Sequence, residues 1–290
     1  MTHGRAVATM IAVTLLWSIA GVVTRWLDSA ASFEVTFWRS AFNALGLVVL
    51  LSMLRGPGAL VTRLRAGGRA LWLSGACWCV MFTAFMLAIT LTTVANVLVT
   101  LALAPLFTAL AGRLALGHRL PARTWAAIAA AGAGIAWMYG HELRGGAQVL
   151  GTMVALAVPI AAAVNWTLMQ SLRGREQGGD MLPAVLIGAL LSAALTLPLS
   201  LPFHATVHDI GLLAVLGVVQ LAIPCLLAVQ VSRTLPAAEL SLLALLEVLF
   251  GVAWAWLGAG ETPAPAVLAG GALVIAALAA HELAAFRPRQ

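Results

Sequence analysis

The sequence predicts an all-α integral membrane protein, with ten transmembrane helices that form two inverted five-helix repeats. Three observations lead to this prediction: the composition, a series of long apolar runs, and a pattern that returns after 142 positions. Apolar residues make up 62% of the chain and charged residues only 9%, whereas soluble domains carry about 25% charged residues. The composition therefore excludes a soluble globular protein.

The apolar runs set the number of helices. A bilayer-crossing helix needs about 20 mostly apolar residues, so the 290 residues of the chain have room for about ten of them. Short segments rich in arginine, glycine or proline separate the runs. The predicted spans, called the first to the tenth, are 6–25, 33–54, 70–91, 94–116, 122–140, 149–172, 181–200, 207–232, 237–258 and 264–284.

An internal repeat divides these spans into two units. Between Thr92 and Tyr139, an apolar run interrupted by Pro105 leads through a Leu-Pro turn into a run rich in Ala and Gly, and this layout returns 142 positions later. The matching positions are Ala95 and Ala237, Leu101-Ala102-Leu103 and Leu243-Ala244-Leu245, Ala111 and Ala253, and Pro121-Ala122 and Pro263-Ala264. We therefore predict two five-helix units, residues 1–142 and residues 143–290. Because five is odd, the second unit enters the bilayer from the opposite side, an inverted repeat typical of carriers.

The basic residues indicate orientation and exclude several kinds of chemistry. All 16 are arginines, and without lysine the chain can form neither a Walker A phosphate loop nor a Schiff base. We therefore expect no cofactor and no ATP-driven transport by this chain. The arginines are spread over short loops, which argues against a nucleic-acid partner. With both termini in the cytoplasm, only Arg25 and Arg144 lie outside, which agrees with the positive-inside rule for an inner (plasma) membrane protein.

Polar and aromatic residues in the middle of spans are the candidates for substrate binding, because a lipid-facing helix needs no polar atoms there. Trp17 offers a rigid plate with one N–H donor, and Asn96 can both donate and accept hydrogen bonds. Pro105 and Pro224 lack an N–H and predict kinks that expose polar backbone. Packing or interhelical hydrogen bonds could explain the same residues. The candidates are Trp17, Trp78, Phe82, Asn96, Thr100, Asn165, Trp166, Gln220 and Glu247.

Two charged residues near or within the spans need separate interpretations. Glu247 lies near the middle of the ninth span, where an ionised carboxylate is costly unless it is hydrogen-bonded or hydrated. Three roles remain open for it: proton coupling, contact with a substrate ammonium group, and structural support of a broken helix. Arg39 lies near the start of the second span, and we expect it to pair with Glu34 or to extend towards the outer surface.

Several short segments together resemble the drug/metabolite transporter superfamily, in its ten-helix, EamA-type branch. The resemblance covers essentially the whole chain. Within the superfamily, the chain looks most like the exporters of aromatic and other neutral amino acids, the YddG type. The chain departs from the family where Val248 stands in place of a proline after Leu246-Glu247, and where His118 stands in place of a glutamate after Gly117. The segments that carry the resemblance are Leu15 to Gly21, Arg39, Ala104 to Phe107, Leu120-Pro121, Leu246-Glu247 and Gly260-Glu261.

The resemblance implies a basket of helices around a central cavity and a secondary transporter that works by alternating access. It would export small neutral metabolites, with amino acids, aromatic ones included, as the leading candidates. A passive facilitator or channel, or an exporter of drugs or other metabolites, is the alternative. The partners expected are a small-molecule substrate and the lipid bilayer. The small residues of the fifth and tenth spans allow a monomer or a weak homodimer.

An intramembrane enzyme is disfavoured, because catalysis there needs a nucleophile beside a base, or metal ligands, within the spans. The three cysteines lie in apolar runs and form no even set, so neither a disulfide nor a metal site is expected. The cysteines are Cys77, Cys79 and Cys225. The histidines at span ends or in loops are His118, His141, His204, His208 and His281.

Overall fold

The computed structural model describes residues 1–117, 146–172 and 180–262, with isolated positions between 122 and 137 and between 265 and 277. These residues are helical, and they contain no strand. The α-helices are α1 His3–Ser18, α2 Ala20–Arg25, α3 Ser32–Arg55, α4 Pro57–Ala66, α5 Arg69–Leu91, α6 Val94–Leu101, α7 Ala104–Leu116, α8 Gly146–Ser171, α9 Leu182–Thr196, α10 Val207–Gly217, α11 Ile223–Val231, α12 Ala237–Ala244 and α13 Leu246–Ala259.

Eight stretches of these helices are long and apolar enough to cross a membrane, which confirms the prediction of an all-α membrane protein. They match the first four predicted spans and the sixth to the ninth. The fifth and tenth predicted spans lie mostly outside the described residues, so the count of ten stays a prediction. The eight stretches are His3–Arg25, Ser32–Arg55, Arg69–Leu91, Val94–Leu116, Val149–Ser171, Leu182–Leu199, Val207–Val231 and Ala237–Ala259.

Three of the spans are interrupted within their length, and a fourth contains a π-helical turn. The first is interrupted at Ile19, the fourth at Ala102-Leu103 and the ninth at Leu245. The eighth continues through a five-residue π-helical turn, Val218–Ala222, which separates α10 from α11. Helix α7 begins with Pro105 in its first turn, where the missing N–H costs no hydrogen bond. Pro224 lies at the start of α11, directly after the π-helical turn. The interruptions bring polar backbone and side chains to the middle of the bundle.

The spans of the first half pack mainly on spans of the second half. The third span lies against the sixth and seventh, and the eighth lies against the first and second. The second lies against the seventh, and the fourth lies against both the sixth and the ninth, while the ninth also contacts the first. The list of neighbours is unchanged when the first four spans are exchanged for the sixth to the ninth. The two halves are therefore interleaved rather than placed side by side.

Four glycines lie at two of these helix crossings, and they repeat at the spacing found in the sequence. A β-carbon on Gly75 would lie 2.5 Å from Ile187, and one on Gly188 would lie 2.3 Å from Trp78, where the third and seventh spans cross. Where the second and eighth spans cross, a β-carbon on Gly217 would lie 2.5 Å from Phe42, and one on Gly46 would lie 3.3 Å from Ala222. Gly46 and Gly188, like Gly75 and Gly217, are 142 positions apart. Small residues at such crossings let helix backbones approach closely.

We expect Gly217→Ala to destabilise the fold, whereas Gly211→Ala in the same span should not. The new methyl at position 217 would lie 2.5 Å from the Phe42 side chain and 2.7 Å from both the Arg39 carbonyl and the Asn43 backbone nitrogen. Overpacking of this kind costs about 1–3 kcal/mol. At Gly211 the methyl would meet nothing within 4 Å. Thermal unfolding of the purified variants in detergent measures the difference, and equal melting temperatures would contradict the close crossing.

One end of the bundle, here called the Arg25 end, is held by contacts of Arg25. This residue forms an ion pair with Glu261 and donates to the Thr92 carbonyl at 3.1 Å. The first and ninth spans therefore end here, where the fourth begins. Gly151, at the start of the sixth span, also lies against Thr92. The first and sixth spans accordingly run in opposite directions, and so do the fourth and ninth.

The Arg25 end is also held by two carboxylates that bind loop backbone. Glu34 accepts hydrogen bonds from the backbone N–H groups of His204 and Ala205 at 2.8–3.0 Å. Asp209 accepts from the backbone N–H groups of Asp28 and Ser29 at 2.7 and 3.2 Å. These contacts place the start of the second span beside the end of the seventh, and the end of the first beside the start of the eighth.

The opposite end, here called the Asp180 end, is held by a cluster of charges. Asp180 forms ion pairs with Arg55 at 3.1 Å, Arg63 at 2.9 Å and Arg233 at 3.0 Å. Its side chain is only 6% exposed. Arg63 belongs to α4, a short helix that the sequence analysis did not predict. The cluster joins the end of the second span, the start of the seventh and the end of the eighth.

Candidate substrate site

A cavity lies in the middle of the bundle, among side chains of the first, second, third, fourth, sixth, eighth and ninth spans. Its volume is about 110 Å³, measured as the space that the centres of water molecules can reach. One water needs about 10–15 Å³ on this measure, so several waters or a small solute would fit. Both halves of the chain contribute to the lining.

Aromatic rings form most of one wall. Trp78 meets the edge of Trp166 at 5.6 Å between ring centroids and lies tilted against Phe82 at 5.4 Å. Trp78, Phe82 and Phe85 project from one face of α5 because they are four and three residues apart. Trp17 joins this lining from the first span. The wall is a flat apolar surface suited to a planar or bulky apolar group.

A chain of hydrogen bonds between three spans forms the main polar part of the cavity. Arg39 is 2% exposed, and its Nε and one terminal nitrogen donate to Gln220 Oε1 at 3.2 and 2.9 Å. Gln220 Nε2 donates in turn to the Trp17 carbonyl at 3.0 Å. The guanidinium also lies over the ring of Phe85, 5.5 Å from its centroid. Gln220 lies in the π-helical turn, a local geometry that is frequent at functional sites.

Glu247 supplies the acidic group of the cavity. It lies in the first turn of α13, directly after the interruption at Leu245, where the helix dipole favours a carboxylate. No ion pair joins it to any other described residue, and Arg39 in particular is beyond ion-pair distance. The cavity therefore contains one guanidinium and one carboxyl group that form no ion pair with each other.

Six of the predicted site residues line the cavity and three do not. Asn96 Nδ2 donates to Thr92 Oγ1 at 3.1 Å, and Thr100 Oγ1 donates to the Asn96 carbonyl at 2.8 Å. Asn165 Oδ1 accepts from Ser74 Oγ at 2.6 Å, between the third and sixth spans. The Asn165 bond agrees with the interpretation as an interhelical hydrogen bond, whereas these bonds of Asn96 and Thr100 join residues four apart in the fourth span. Those that line the cavity are Trp17, Trp78, Phe82, Trp166, Gln220 and Glu247.

The expectation for Arg39 was wrong, because it neither pairs with Glu34 nor extends outward. Glu34 is occupied by loop N–H groups, and the close approach of the eighth span at Gly217 brings Gln220 to the guanidinium. Sequence reasoning could have found this inward face, because Arg39, Asn43 and Gly46 recur at helical spacing. It did not show which neighbouring helix would supply the partner.

One group of side chains outside the cavity has atoms close enough to hold a metal ion. The ligand atoms of Asp28, His208 and Asp209 lie within 4.8 Å of one another at the Arg25 end. Both Asp209 oxygens already accept backbone hydrogen bonds, and His208 pairs with Asp28 at 3.2 Å. These contacts, which join the loops at the Arg25 end, explain why the three side chains lie close together.

The comparisons with known proteins agree with a transporter. Residues 4–140 match the EamA-like transporter family. Two relatives described as pseudopaline exporters, from Pseudomonas aeruginosa strains UCBPP-PA14 and PAO1, are each 24% identical over 244 residues, which are 84% of this chain and 84% of theirs. The fold is also similar to that of a solved crystal structure, with a TM-score of 0.72 and 18% sequence identity, and the match covers 100% of each chain. At this identity the likeness concerns the fold alone. The EamA-like match over residues 4–140 agrees with the resemblance to the drug/metabolite transporter superfamily, while the YddG-type specificity stays a prediction.

Proposed function

We propose that the protein is a secondary transporter of the inner membrane that exports small neutral metabolites from the cytoplasm, with amino acids, aromatic ones included, as the leading substrates. The observation that carries this proposal is the mid-bundle cavity, in which an aromatic wall lies beside Arg39, Gln220 and Glu247. The EamA-like match of residues 4–140 supports transport as the activity. The relatives export a metabolite, pseudopaline, which supports this class of substrate.

We infer that residues 1–142 and 143–290 are inverted repeats and that transport occurs by alternating access between them. Three features support the inference: the exchangeable pattern of neighbours, the paired glycine crossings, and the opposite directions of equivalent spans. Such repeats can move against each other around a fixed central site. Because the cavity takes residues from both halves, such a movement would change which end of the cavity is open.

The distribution of arginines supports an orientation with the N-terminus in the cytoplasm. Among the described residues, Arg25 lies at the Arg25 end of the bundle. Most of the other described arginines lie at the Asp180 end, where the first span begins. An excess of arginine marks the cytoplasmic side. The described arginines at the Asp180 end are Arg5, Arg55, Arg63, Arg65, Arg69, Arg113 and Arg233.

A flux assay in proteoliposomes tests the proposed substrate class. Efflux of labelled L-tryptophan, L-phenylalanine and L-leucine should exceed that from empty vesicles. Unlabelled substrate on the far side should accelerate the efflux, because a carrier returns faster when loaded. Flux that rises without such exchange would favour a passive facilitator, and the absence of flux for every amino acid would rule out the substrate class.

We expect Glu247→Gln to weaken transport of L-tryptophan and to preserve any response of transport to an imposed pH gradient. No other titratable side chain except Arg39 and Cys225 lines the cavity, so the described residues offer no relay for a proton from Glu247. Loss of the negative charge should raise the apparent KM for L-tryptophan about tenfold, as expected for a charge-assisted hydrogen bond. If the variant keeps its KM and loses the pH response, Glu247 is the proton carrier instead.

A further inference from the structure

Arg39 has hydrogen-bonding capacity that the protein does not use. Two of its five N–H groups donate to Gln220 Oε1, and a third contacts the Phe82 carbonyl at 3.5 Å. No carboxylate of a described residue lies within ion-pair distance of it. A buried guanidinium without a counter-ion is costly, and a carboxylate is the group that its planar fork binds best. The Arg39 side of the cavity therefore suits an anionic oxygen pair.

Two indole N–H groups reinforce this preference for an acceptor. Trp17 Nε1 and Trp78 Nε1 are buried and have no hydrogen-bond acceptor, apart from the weakly accepting sulfur of Cys225 beside Trp17. Trp78 is 2% exposed. A buried donor without an acceptor costs about 1–3 kcal/mol. Both indoles belong to residues that line the same cavity as Arg39.

Glu247 is a hydrogen-bond acceptor that lacks a donor among the described residues, the reverse of the situation at Arg39. Its side chain is 9% exposed and lines the cavity, and no described donor neutralises it directly. A carboxylate can only accept hydrogen bonds when ionised, so an ammonium group, with three donors, is its natural partner. Arg39 lies on the second span and Glu247 on the ninth, so the two charges occupy different walls of the cavity.

We propose, on the basis of the proposed function, that Arg39 binds the carboxylate of a zwitterionic substrate while Glu247 binds its ammonium group. The apolar side chain of the substrate then packs on the wall formed by Trp78, Phe82 and Trp166. A substrate with both charges compensates both buried groups. An amine without a carboxylate, or an acid without an amine, leaves one of them without a partner. The pair therefore selects α-amino acids over amines and over carboxylic acids of the same shape.

Binding of three ligands that share the indole ring tests this assignment. L-Tryptophan carries both charged groups, tryptamine lacks the carboxylate, and indole-3-propionate lacks the amine. Equilibrium binding to the full chain in lipid nanodiscs should favour L-tryptophan over each of the others by about 10- to 100-fold, the range expected for a hydrogen bond between charged groups.

Two substitutions assign each charge to its residue. Arg39→Gln should weaken L-tryptophan and indole-3-propionate about 10- to 100-fold and leave tryptamine unchanged. Glu247→Gln should weaken L-tryptophan and tryptamine and leave indole-3-propionate unchanged. Glu239→Gln is the matched control, because Glu239 lies on the same span and pairs with His3 outside the cavity. It should alter none of the three affinities.

The outcomes separate this proposal from the proposed function. Equal weakening of all three ligands in both variants would mean that the residues are structural, and it would overturn the assignment while L-tryptophan transport still stood. Equal binding of tryptamine and L-tryptophan by the unaltered protein would also overturn it, even if the variants fail to fold. If the unaltered protein neither binds nor transports any amino acid, the proposed function fails and the assignment fails with it.

Discussion

Alanine in place of Asp209 should cost on the order of 3 kcal/mol or more and leave little folded protein in detergent. The carboxylate is fully buried and accepts hydrogen bonds from the backbone of Asp28, Ser29 and Thr206 and from the Ser29 hydroxyl. Hydrogen bonds to charged groups contribute about 1.5–3 kcal/mol each. Alanine would leave buried N–H donors without an acceptor where the first and eighth spans meet.

The neighbouring acid provides the control for this effect. Asp28 carries the same charge and lies beside Asp209, but its side chain is 60% exposed and pairs with a His208 that is 57% exposed. Asp28→Asn should therefore change the melting temperature little, since exposed pairs contribute about 0–1 kcal/mol. Size-exclusion profiles and thermal unfolding of both variants give the comparison. Similar losses for the two variants would mean that the Asp209 hydrogen bonds do not hold the loops.

Trp78→Ala should lose about 3–5 kcal/mol of stability, the range for large aromatic side chains removed from a core. Trp78 is 2% exposed and contacts Trp166, Phe82 and the close crossing at Gly188. Substrate binding should be lost as well, since the ring forms the centre of the aromatic wall. Trp17→Ala should weaken transport with a smaller loss of stability, because Trp17 is only partly buried.

A tryptophan on the same helix separates packing from a general effect of losing an aromatic ring. Trp72 lies six residues before Trp78 in α5 and is 50% exposed on the outer surface of the bundle. Trp72→Ala should leave the melting temperature in detergent and the L-tryptophan KM nearly unchanged. A drop in melting temperature as large as that of Trp78→Ala would show that the aromatic wall contributes little specific packing.

The spans could be predicted closely from the sequence because hydropathy alone sets them. The fourth was predicted at 94–116 and is found at Val94–Leu116. Helix α4 was missed because it is ten residues long and carries Arg63 and Arg65, so it gives no membrane-crossing signal. The kinks at Pro105 and Pro224 were predicted from the missing N–H. The interruption at Leu245 contains no proline and leaves no such signal.

The site could be predicted only in part, because helical spacing shows which residues share a face but not what that face meets. Asn96 and Trp17 gave the same signal, a polar or amphipathic residue in mid-span. Only the folded structure separates them, since Trp17 lines the cavity and Asn96 does not. Arg39 was misplaced for the same reason. Its partner, Gln220, is 181 positions away in the chain.

Counterflow in proteoliposomes tests the central claim most directly, namely that one central site alternates between the two sides of the membrane. Vesicles holding the unaltered protein and loaded with unlabelled L-phenylalanine should take up labelled L-tryptophan transiently above its equilibrium level, and Arg39→Gln should abolish this overshoot. Uptake that rises steadily to equilibrium without an overshoot, or that equals uptake by empty vesicles, would contradict the account.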